Sequence, residues 1–327
     1  MKTKTGQYKF IFFGGGLVFL ILAMVQWKVK KPMLLLERFF EGGGWIGVIL
    51  LSVYAAFLIF KMSDPLETAL WRKRSWTLFS VFFFLQLTIG LLGFDEFLMT
   101  GKLHFPVPAM IIGGPVYRMQ ISFMTILFFS TILLTGPAWC SHLCYFGVFD
   151  YLASLRGRPK KGTIKQLWQI KHSVLILVIL AALILRFSGV SHLAAIIMAA
   201  VFGIAGLLII LLFSTRVNKM FHCVAFCPVG TLVRYVKCIN PFSMYIDQSC
   251  NDCLACTAHC RYDALQKENI SQRKPGLTCT YCGDCVVACH SASIKYKFFG
   301  LTPENARLLW ITLTVSMHAV FLGLARI

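Results

Sequence analysis

Two cysteine runs of identical spacing decide the fold of one segment: Cys250-Asn-Asp-Cys253-Leu-Ala-Cys256-Thr-Ala-His-Cys260 and Cys279-Thr-Tyr-Cys282-Gly-Asp-Cys285-Val-Val-Ala-Cys289. Each run reads C-x-x-C-x-x-C followed by a more distant cysteine. The tight arc wraps three corners of an iron–sulfur cubane with thiolates, and a fourth cysteine closes the ligand set. The spacing therefore predicts two [4Fe–4S] clusters on a ferredoxin-like domain at residues 246–298.

The fourth cysteine of each run is expected to ligate the other cluster, as in bacterial two-cluster ferredoxins. One cluster then has the ligands Cys250, Cys253, Cys256 and Cys289, and the other has Cys279, Cys282, Cys285 and Cys260. Two structural zinc sites are the alternative, because zinc also binds four thiolates. The identical spacing of the two runs favours iron.

The rest of the chain is too apolar for a solvated globular domain. Of its 327 residues 57% are hydrophobic, and the mean hydropathy is +0.72. Seven stretches approach the ~20 apolar residues that a spanning helix needs. They are Phe10–Trp27, Trp45–Lys61, Trp76–Phe94, Met119–Trp139, Ser173–Phe187, Leu193–Phe213 and Leu308–Gly323. The predicted fold class is an all-α polytopic membrane bundle of about six to seven transmembrane helices with a small α+β two-cluster ferredoxin-like domain.

Basic residues predict the orientation of these helices. With the N-terminus inside, 24 of the 32 Lys and Arg residues fall in inside segments, as the positive-inside rule requires. The ferredoxin domain is therefore expected in the cytoplasm, with the chain in the bacterial cytoplasmic (inner) membrane. The formal net charge of +19 follows from this bias, so no nucleic-acid partner is expected.

Four segments are predicted along the chain. Residues 1–118 hold the first three helices and an outside loop, 119–245 a transmembrane core, 246–298 the ferredoxin-like domain and 299–327 a C-terminal transmembrane helix. The loop from Asp95 to Arg118 contains Pro106, Pro108 and Pro115, which argue against a regular helix and favour a re-entrant or interfacial segment.

Two further cysteine pairs lie in the transmembrane core. The segments Trp139-Cys140-Ser-His-Leu-Cys144 and His222-Cys223-Val-Ala-Phe-Cys227 each follow a predicted helix and form an internal repeat. A C-x-x-x-C spacing places both sulfurs on one helical face, so the two segments could present four thiolates to a shared centre. A third iron–sulfur or other metal centre, a redox-active dithiol pair and a structural role remain open.

Two histidines accompany these cysteines. His142 lies within the first pair and His222 directly precedes the second, so both are candidate metal ligands or proton acceptors. Cys238 has no partner at any motif spacing and is expected to be an inert thiol in the core or at an interface. The sequence singles out no catalytic residue.

The order of these motifs resembles the NapH/MauN-type membrane ferredoxins, which are related to the C-terminal part of NosR and to the CcoG/FixG/RdxA proteins. The resemblance spans residues 119–298. It departs from the family at Tyr145, where the first pair usually has Pro, and at Arg261 and His290, which replace the Pro after each fourth cysteine of ferredoxins. A cation at Arg261 or His290 is expected to raise the potential of the neighbouring cluster.

This resemblance implies a membrane protein that exchanges electrons between the quinone pool and a protein redox partner, and it leaves open a quinol dehydrogenase subunit. It also implies that Cys140, Cys144, Cys223 and Cys227 are redox-relevant. A copper reductase or assembly factor of the CcoG type is the alternative, because thiolates suit Cu(I). A regulatory or maturation protein of the NosR type is a further alternative.

Overall fold

The computed structural model describes residues 2–97, 107–121, 123–160, 162–164 and 166–324. The chain divides into two compact units, Met1–His104 with Phe298–Ile327 and Phe105–Lys297. The α-helices of the described part are α1 Lys2–Lys28, α2 Gly43–Ser63, α3 Pro65–Leu91, α4 Met110–Arg118, α5 Phe123–Thr135, α6 Gly147–Ser154, α7 Leu167–Phe187, α8 His192–Ile209, α9 Thr215–Val217, α10 Pro228–Lys237, α11 Lys267–Ser271, α12 Asp284–Val287 and α13 Pro303–Gly323. The strands are β1 Ser243–Ile246 and β2 Ile294–Lys297.

Seven helical segments among the described residues are long and apolar enough to cross a membrane. They are Gly6–Lys28, Gly43–Ser63, Pro65–Leu91, Thr125–Leu143, Leu167–Phe187, His192–Val217 and Pro303–Gly323. Each overlaps one of the seven predicted stretches, because a helix is the simplest element that satisfies every backbone polar group in lipid. The predicted fold class is confirmed, and the chain is a multi-pass membrane protein.

The first unit contains α1, α2, α3 and α13. Glycines let α1 approach α2 closely: a Cβ at Gly14 would lie 2.1 Å from the Ile59 side chain. Only Asp64 separates α2 from α3, and its carboxylate caps α3 by accepting the Leu66 N–H at 2.8 Å. In α13, Arg307 donates to the Ser63 carbonyl at 2.9 Å and thereby ties α13 to the end of α2.

The second unit contains a helix that the sequence did not predict. Residues Met110–Arg118 form α4, so the prediction that the segment before Arg118 has no regular helix is wrong for these nine residues. Tertiary packing overrides their low helix propensity, since a Cβ at Gly113 would lie 3.6 Å from Val178 of α7. The Tyr117 hydroxyl also donates to the Val190 carbonyl at 2.7 Å. Residues 98–106 of the predicted loop lie outside the described part of the chain.

The ferredoxin-like part is α+β, as predicted. Strands β1 and β2 pair antiparallel, with Ser243 opposite Lys297 and Ile246 opposite Ile294. Strand β1 precedes the first cysteine run and β2 follows the second, so the small sheet closes the ends of both runs against each other. Two short helices accompany the runs: α11 follows Cys260, and α12 lies within the second run around Cys285.

Candidate metal centres

The structure brings the ferredoxin cysteines together in two groups of four. The Cys256 thiol interacts electrostatically with those of Cys289, Cys250 and Cys253. The Cys285 thiol is influenced in the same way by Cys282, Cys279 and Cys260. We call these sets the Cys250 group and the Cys279 group; each combines three cysteines of one run with the fourth of the other.

Burial keeps several of these thiols protonated while no iron is bound. It is the main cause that raises the pKa of Cys256 to about 11 and that of Cys260 to about 12. The pKa of Cys285 is raised well above its usual value for the same reason. Iron binding must therefore displace protons, as is general for thiolate metal sites.

A pocket lies inside the Cys279 group. Cys260, Cys279, Cys282 and Cys285 line it, together with apolar side chains that include Met244 and Tyr262. Four sulfurs around one space suit a [4Fe–4S] cluster, and the apolar side chains restrict the access of water.

The backbone around the two groups repeats. Asp252 and Leu254 have left-handed φ values of 54° and 59°, and the equivalent Tyr281 and Gly283 have 58° and 84°. Left-handed residues at these positions wind each C-x-x-C-x-x-C arc tightly. The Ala264 N–H donates to Cys260 Sγ at 3.3 Å, and the Ser293 N–H donates to Cys289 Sγ at the same distance.

Hydrogen-bond donors change the pKa of Cys289, the fourth cysteine of the second run. Burial acts to raise the pKa of Cys289, but hydrogen bonds from the Ser291 hydroxyl and from the Ser293 N–H outweigh it, and the pKa is lowered. Hydrogen bonds to ligand sulfurs are also among the factors that set the potential of an iron–sulfur cluster.

The two membrane-edge cysteine pairs adopt the same unusual backbone. Trp139–Leu143 and His222–Phe226 are single π-helical turns, and Cys144 and Cys227 follow them in extended conformation. The expectation that an α-helix holds both sulfurs of a pair on one face is therefore wrong. The π turn closes with a hydrogen bond from the Cys144 N–H to the Trp139 carbonyl at 2.9 Å, and Cys227 repeats it with His222 at 2.8 Å.

The repeat continues into the next helix. The Cys144 thiol accepts the N–H groups of Phe146 and Gly147 at the start of α6. The Cys227 thiol accepts those of Val229 and Gly230 at the start of α10. Both sulfurs therefore lie at a helix N-terminus, where the backbone stabilises negative charge.

All four of these thiols influence one another. Cys223 interacts with Cys227, Cys144 and Cys140, and the remaining pairs also interact. Burial, followed by the neighbouring thiol of Cys227, raises the pKa of Cys144 to about 12. We call Cys140, Cys144, Cys223 and Cys227 the four-thiol group.

The spacing of the four-thiol group fits a cluster better than a single ion. Within the described part of the chain, no three His, Cys, Asp or Glu side chains lie close enough to hold one metal ion. Four thiolates on one zinc ion would be only ~3.8 Å apart, given Zn–S bonds of ~2.3 Å. Iron and sulfide atoms between the thiolates demand a wider arrangement.

The two candidate histidines have different surroundings. His142 is buried, and its Nδ1 is 2.9 Å from the Ser141 hydroxyl. The His222 ring lies 5.0 Å from Phe146 and 5.5 Å from Phe226, centroid to centroid. Burial lowers the pKa of His222 to about 3, so its imidazole is neutral.

Sequence reasoning missed several side chains around the four-thiol group. Lys171 of α7 and Arg234 of α10 are buried beside it. Asp150 of α6 accepts the Cys223 N–H at 2.8 Å, and burial raises the pKa of this carboxyl to about 6. Lys171 could have been suspected from the sequence, because it is an ionisable residue at the end of an apolar stretch.

Two hydrogen bonds connect the four-thiol group with the Cys279 group. The Tyr262 hydroxyl donates to the Cys140 carbonyl at 3.1 Å, and the Ser141 hydroxyl donates to the Thr280 carbonyl at 3.3 Å. Each bond joins a residue in or beside a cysteine turn to one beside a ferredoxin cysteine. The two groups of sulfurs are therefore neighbours within one compact unit.

Three further residues that the sequence singled out, Arg261, His290 and Cys238, lie outside the cysteine groups. Arg261 donates to the carbonyls of Ser154, Gly157 and Asn218 at 2.7, 2.7 and 3.0 Å, so it anchors the ferredoxin-like part to the membrane-edge loops. His290 is exposed. Cys238 is exposed rather than in the core, and its Sγ donates to the Arg234 carbonyl at 3.6 Å.

Comparisons with known proteins agree with this geometry. A family model described as a 4Fe-4S binding domain matches residues 118–163 and 199–237, the two segments that contain the four-thiol group. This match supports an iron–sulfur protein of the ferredoxin type. Together with the seven apolar helices, it fits a membrane iron–sulfur electron-transfer protein.

A relative is also found among curated proteins. An uncharacterized protein of Methanocaldococcus jannaschii is 27% identical over 178 residues, which cover 51% of this chain and 66% of that protein. The match therefore extends over slightly less than two thirds of the relative. No solved structure matches the chain.

Proposed function

We propose that this protein exchanges electrons between the membrane quinone pool and a protein redox partner, with the ferredoxin-like part on the cytoplasmic side of a bacterial-type inner membrane. The observation that carries the proposal is the direct connection of the four-thiol group, at the ends of membrane helices, to the Cys279 group through Tyr262 and Ser141. Redox centres that are neighbours in one unit form a continuous route for electrons.

In this proposal the Cys250 group and the Cys279 group each hold one [4Fe–4S] cluster, and the four-thiol group holds a third iron–sulfur centre. When bound, each cluster stores and releases one electron. A quinol gives up two electrons and two protons on oxidation to the quinone, so two cluster-bearing groups balance the electrons of one quinol. The protein residues supply the ligands, the dry surroundings and the hydrogen bonds to sulfur.

The lining of a crevice beside the four-thiol group supports the quinone assignment. Residues Cys227, His222, Phe146, Phe202 and Val107 are among those that line it, and the crevice is closed in this structure, so it has to open to admit a quinone ring. Aromatic walls suit a flat redox ring. The buried His222 Nδ1 has no hydrogen-bond partner in the described structure and lies at this crevice, where a neutral imidazole nitrogen accepts a hydrogen bond from a hydroxyl group.

Iron and acid-labile sulfide per chain, combined with EPR spectroscopy, test the cluster assignment. We expect about twelve irons if all three groups hold cubanes and about eight if only the ferredoxin groups do. Replacing Cys140 with Ser should remove the additional iron, whereas Cys238→Ser is the matched control and should leave the content unchanged. Eight irons in the wild type would contradict the third centre.

Reduction of the clusters by a short-chain quinol tests the quinone assignment. We expect the quinol to bleach the visible iron–sulfur absorption of the detergent-solubilised protein. A His222→Phe variant should react more slowly while its iron content is retained. Clusters that dithionite reduces but no quinol reduces would contradict quinone exchange, and stoichiometric Cu(I) binding lost on Cys140→Ser would point to a copper reductase instead.

A further inference from the structure

Two cationic side chains are buried against the four-thiol group. Lys171 is 0% exposed, and its amine influences the thiols of Cys140, Cys227 and Cys223. Arg234 is buried as well, and its guanidinium influences Cys140 and Cys227. The two cations come from different helices, α7 and α10, and also influence each other.

Each cation has a buried nitrogen without a hydrogen-bond partner in the described part of the chain. Lys171 Nζ has no hydrogen-bond partner there, and neither has Arg234 Nη1. Arg234 Nη2 donates to the Val224 carbonyl at 3.2 Å. Two like charges held together in a dry interior repel each other and lose their hydration. An anion that faces both cations removes this repulsion and replaces part of the lost hydration.

The four thiols can supply that anion once they bind a cluster. A [4Fe–4S] centre with four thiolate ligands carries a net charge of about −2, which becomes about −3 on reduction. Protonated thiols carry no charge, so the thiols compensate the cations only in the loaded protein. Asp263 also influences Arg234, whereas the influences that stabilise the charge of Lys171 all come from cysteines of the four-thiol group. Asp150 also influences these thiols, and its carboxyl accepts the backbone N–H of Cys223. The phenol of Tyr145 interacts with Cys144 and Cys227 as well.

We propose that Lys171 and Arg234 are the counter-charges of the cluster in the four-thiol group and act as positioning residues that raise its midpoint potential. The inference rests on the proposed third iron–sulfur centre. Both cations attract the reduced cluster more strongly than the oxidised one, because reduction adds one negative charge to the cluster. The reduced state is therefore favoured, and the centre accepts electrons more readily than it would with neutral side chains at these two positions.

An EPR-monitored redox titration of the purified full-length protein tests this inference. The signal of the four-thiol group is identified as the one that Cys140→Ser removes. We expect Lys171→Met to lower the midpoint potential of this signal by at least a tenfold change in the reduction equilibrium, about 59 mV for one electron. Lys171→Arg keeps the charge and should keep the potential close to that of the wild type.

Two further variants make the result specific. Arg234→Gln should shift the same signal in the same direction, and the exposed Lys160→Met is the control that should leave it unchanged. If Lys171→Met prevents loading while Lys171→Arg does not, the counter-charge role is supported by the iron content. Retained iron with an unchanged potential in both Lys171→Met and Arg234→Gln would overturn the inference and leave the proposed function intact. A wild-type protein without the Cys140-dependent signal would overturn both, and its iron content would show this.

Discussion

The Tyr262 hydroxyl donates a hydrogen bond to the backbone carbonyl of Cys140 at 3.1 Å. Tyr262 lies two residues after Cys260, the last cysteine of the first ferredoxin run. This bond attaches the ferredoxin-like part directly to the first π turn. We expect Tyr262→Phe to retain all iron, since no ligand changes. The lost hydrogen bond contributes ~1 kcal/mol to holding the two parts together. Its loss should slow quinol reduction of the ferredoxin clusters roughly fivefold, as measured by stopped-flow absorbance. The exposed Tyr8→Phe is the control, and equal rates for the two variants would refute the coupling.

Arg261 should contribute to stability and to cluster potential by separate means. Arg261→Met leaves three carbonyls without their donor, so we expect the free energy of unfolding to fall by about 1–3 kcal/mol. Replacement with Pro should also lower the midpoint potential of the neighbouring cluster, because a cation beside Cys260 is lost. His290→Met, at the equivalent exposed position after the second run, is the matched control for stability in denaturant titrations. A denaturation midpoint for Arg261→Met equal to that of His290→Met would contradict the anchoring role.

Gly230 is required where α10 begins beside Cys223. A Cβ at this position would lie 2.8 Å from the Cys223 carbonyl, and the atom in its way is backbone. We expect Gly230→Ala to destabilise the second unit by about 1–3 kcal/mol and to lose the Cys140-dependent EPR signal. Gly47→Ala, in α2 with nothing within 4 Å, should instead be neutral or stabilising by about 0.5–1 kcal/mol. Full iron in Gly230→Ala would show that the turn tolerates the added methyl group.

The buried ion pair between Lys219 and Asp263 connects the second π turn to the ferredoxin-like part. Its atoms are 2.6 Å apart, and the two side chains are 4% and 1% exposed. Lys219→Met leaves the carboxylate buried without its ion-pair partner, which should cost up to about 3–5 kcal/mol in chemical denaturation. The double variant Lys219→Met/Asp263→Asn should recover part of this loss, because Asn is neutral and tolerates the left-handed φ of 56°. No recovery would mean that the pair acts through packing alone.

Asp247 should give the ferredoxin-like part an acid-dependent contribution to stability. The hydrogen bond from Lys295 lowers the pKa of the Asp247 carboxyl below its usual range. A carboxyl with a lowered pKa in the folded state stabilises the fold above its unfolded pKa of ~3.9 and loses this contribution as the pH falls through the lowered value. We therefore expect the wild type to exceed Asp247→Asn in denaturation midpoint at neutral pH, and the difference to shrink as the pH falls below the unfolded pKa and to vanish below the lowered folded pKa. A difference that persists at low pH would exclude the ion pair as its cause.

The membrane spans could be read from the sequence because lipid imposes a uniform rule on every residue of a span. The start of α7 could not be read from the sequence in this way. Hydropathy alone begins the fifth span at Ser173, whereas the helix begins at Leu167 and takes Lys171 into the interior. The basic-residue rule places Lys171 in an inside segment, whereas the structure buries it in α7 beside thiols that come from other elements.

The cysteine groups were partly predictable for a similar reason. Spacing within a run reports local geometry, so the three-cysteine arcs follow from sequence alone. The π turns at Cys140 and Cys223 could not be predicted, because C-x-x-x-C is equally compatible with an α-helix. Helix α4 was hidden by Pro115 and its glycines, which disfavour a helix unless a neighbour such as α7 packs against it.

The distribution of sulfurs along the chain has a consequence for biogenesis. The four-thiol group needs Cys227, the Cys279 group needs Cys285, and the Cys250 group needs Cys289. No set of four is complete until the ribosome has synthesised more than two thirds of the chain, when the first six membrane helices have already been made. If the three groups hold the proposed clusters, the helices insert before any cluster forms, and the thiols have to stay reduced until iron and sulfide are delivered.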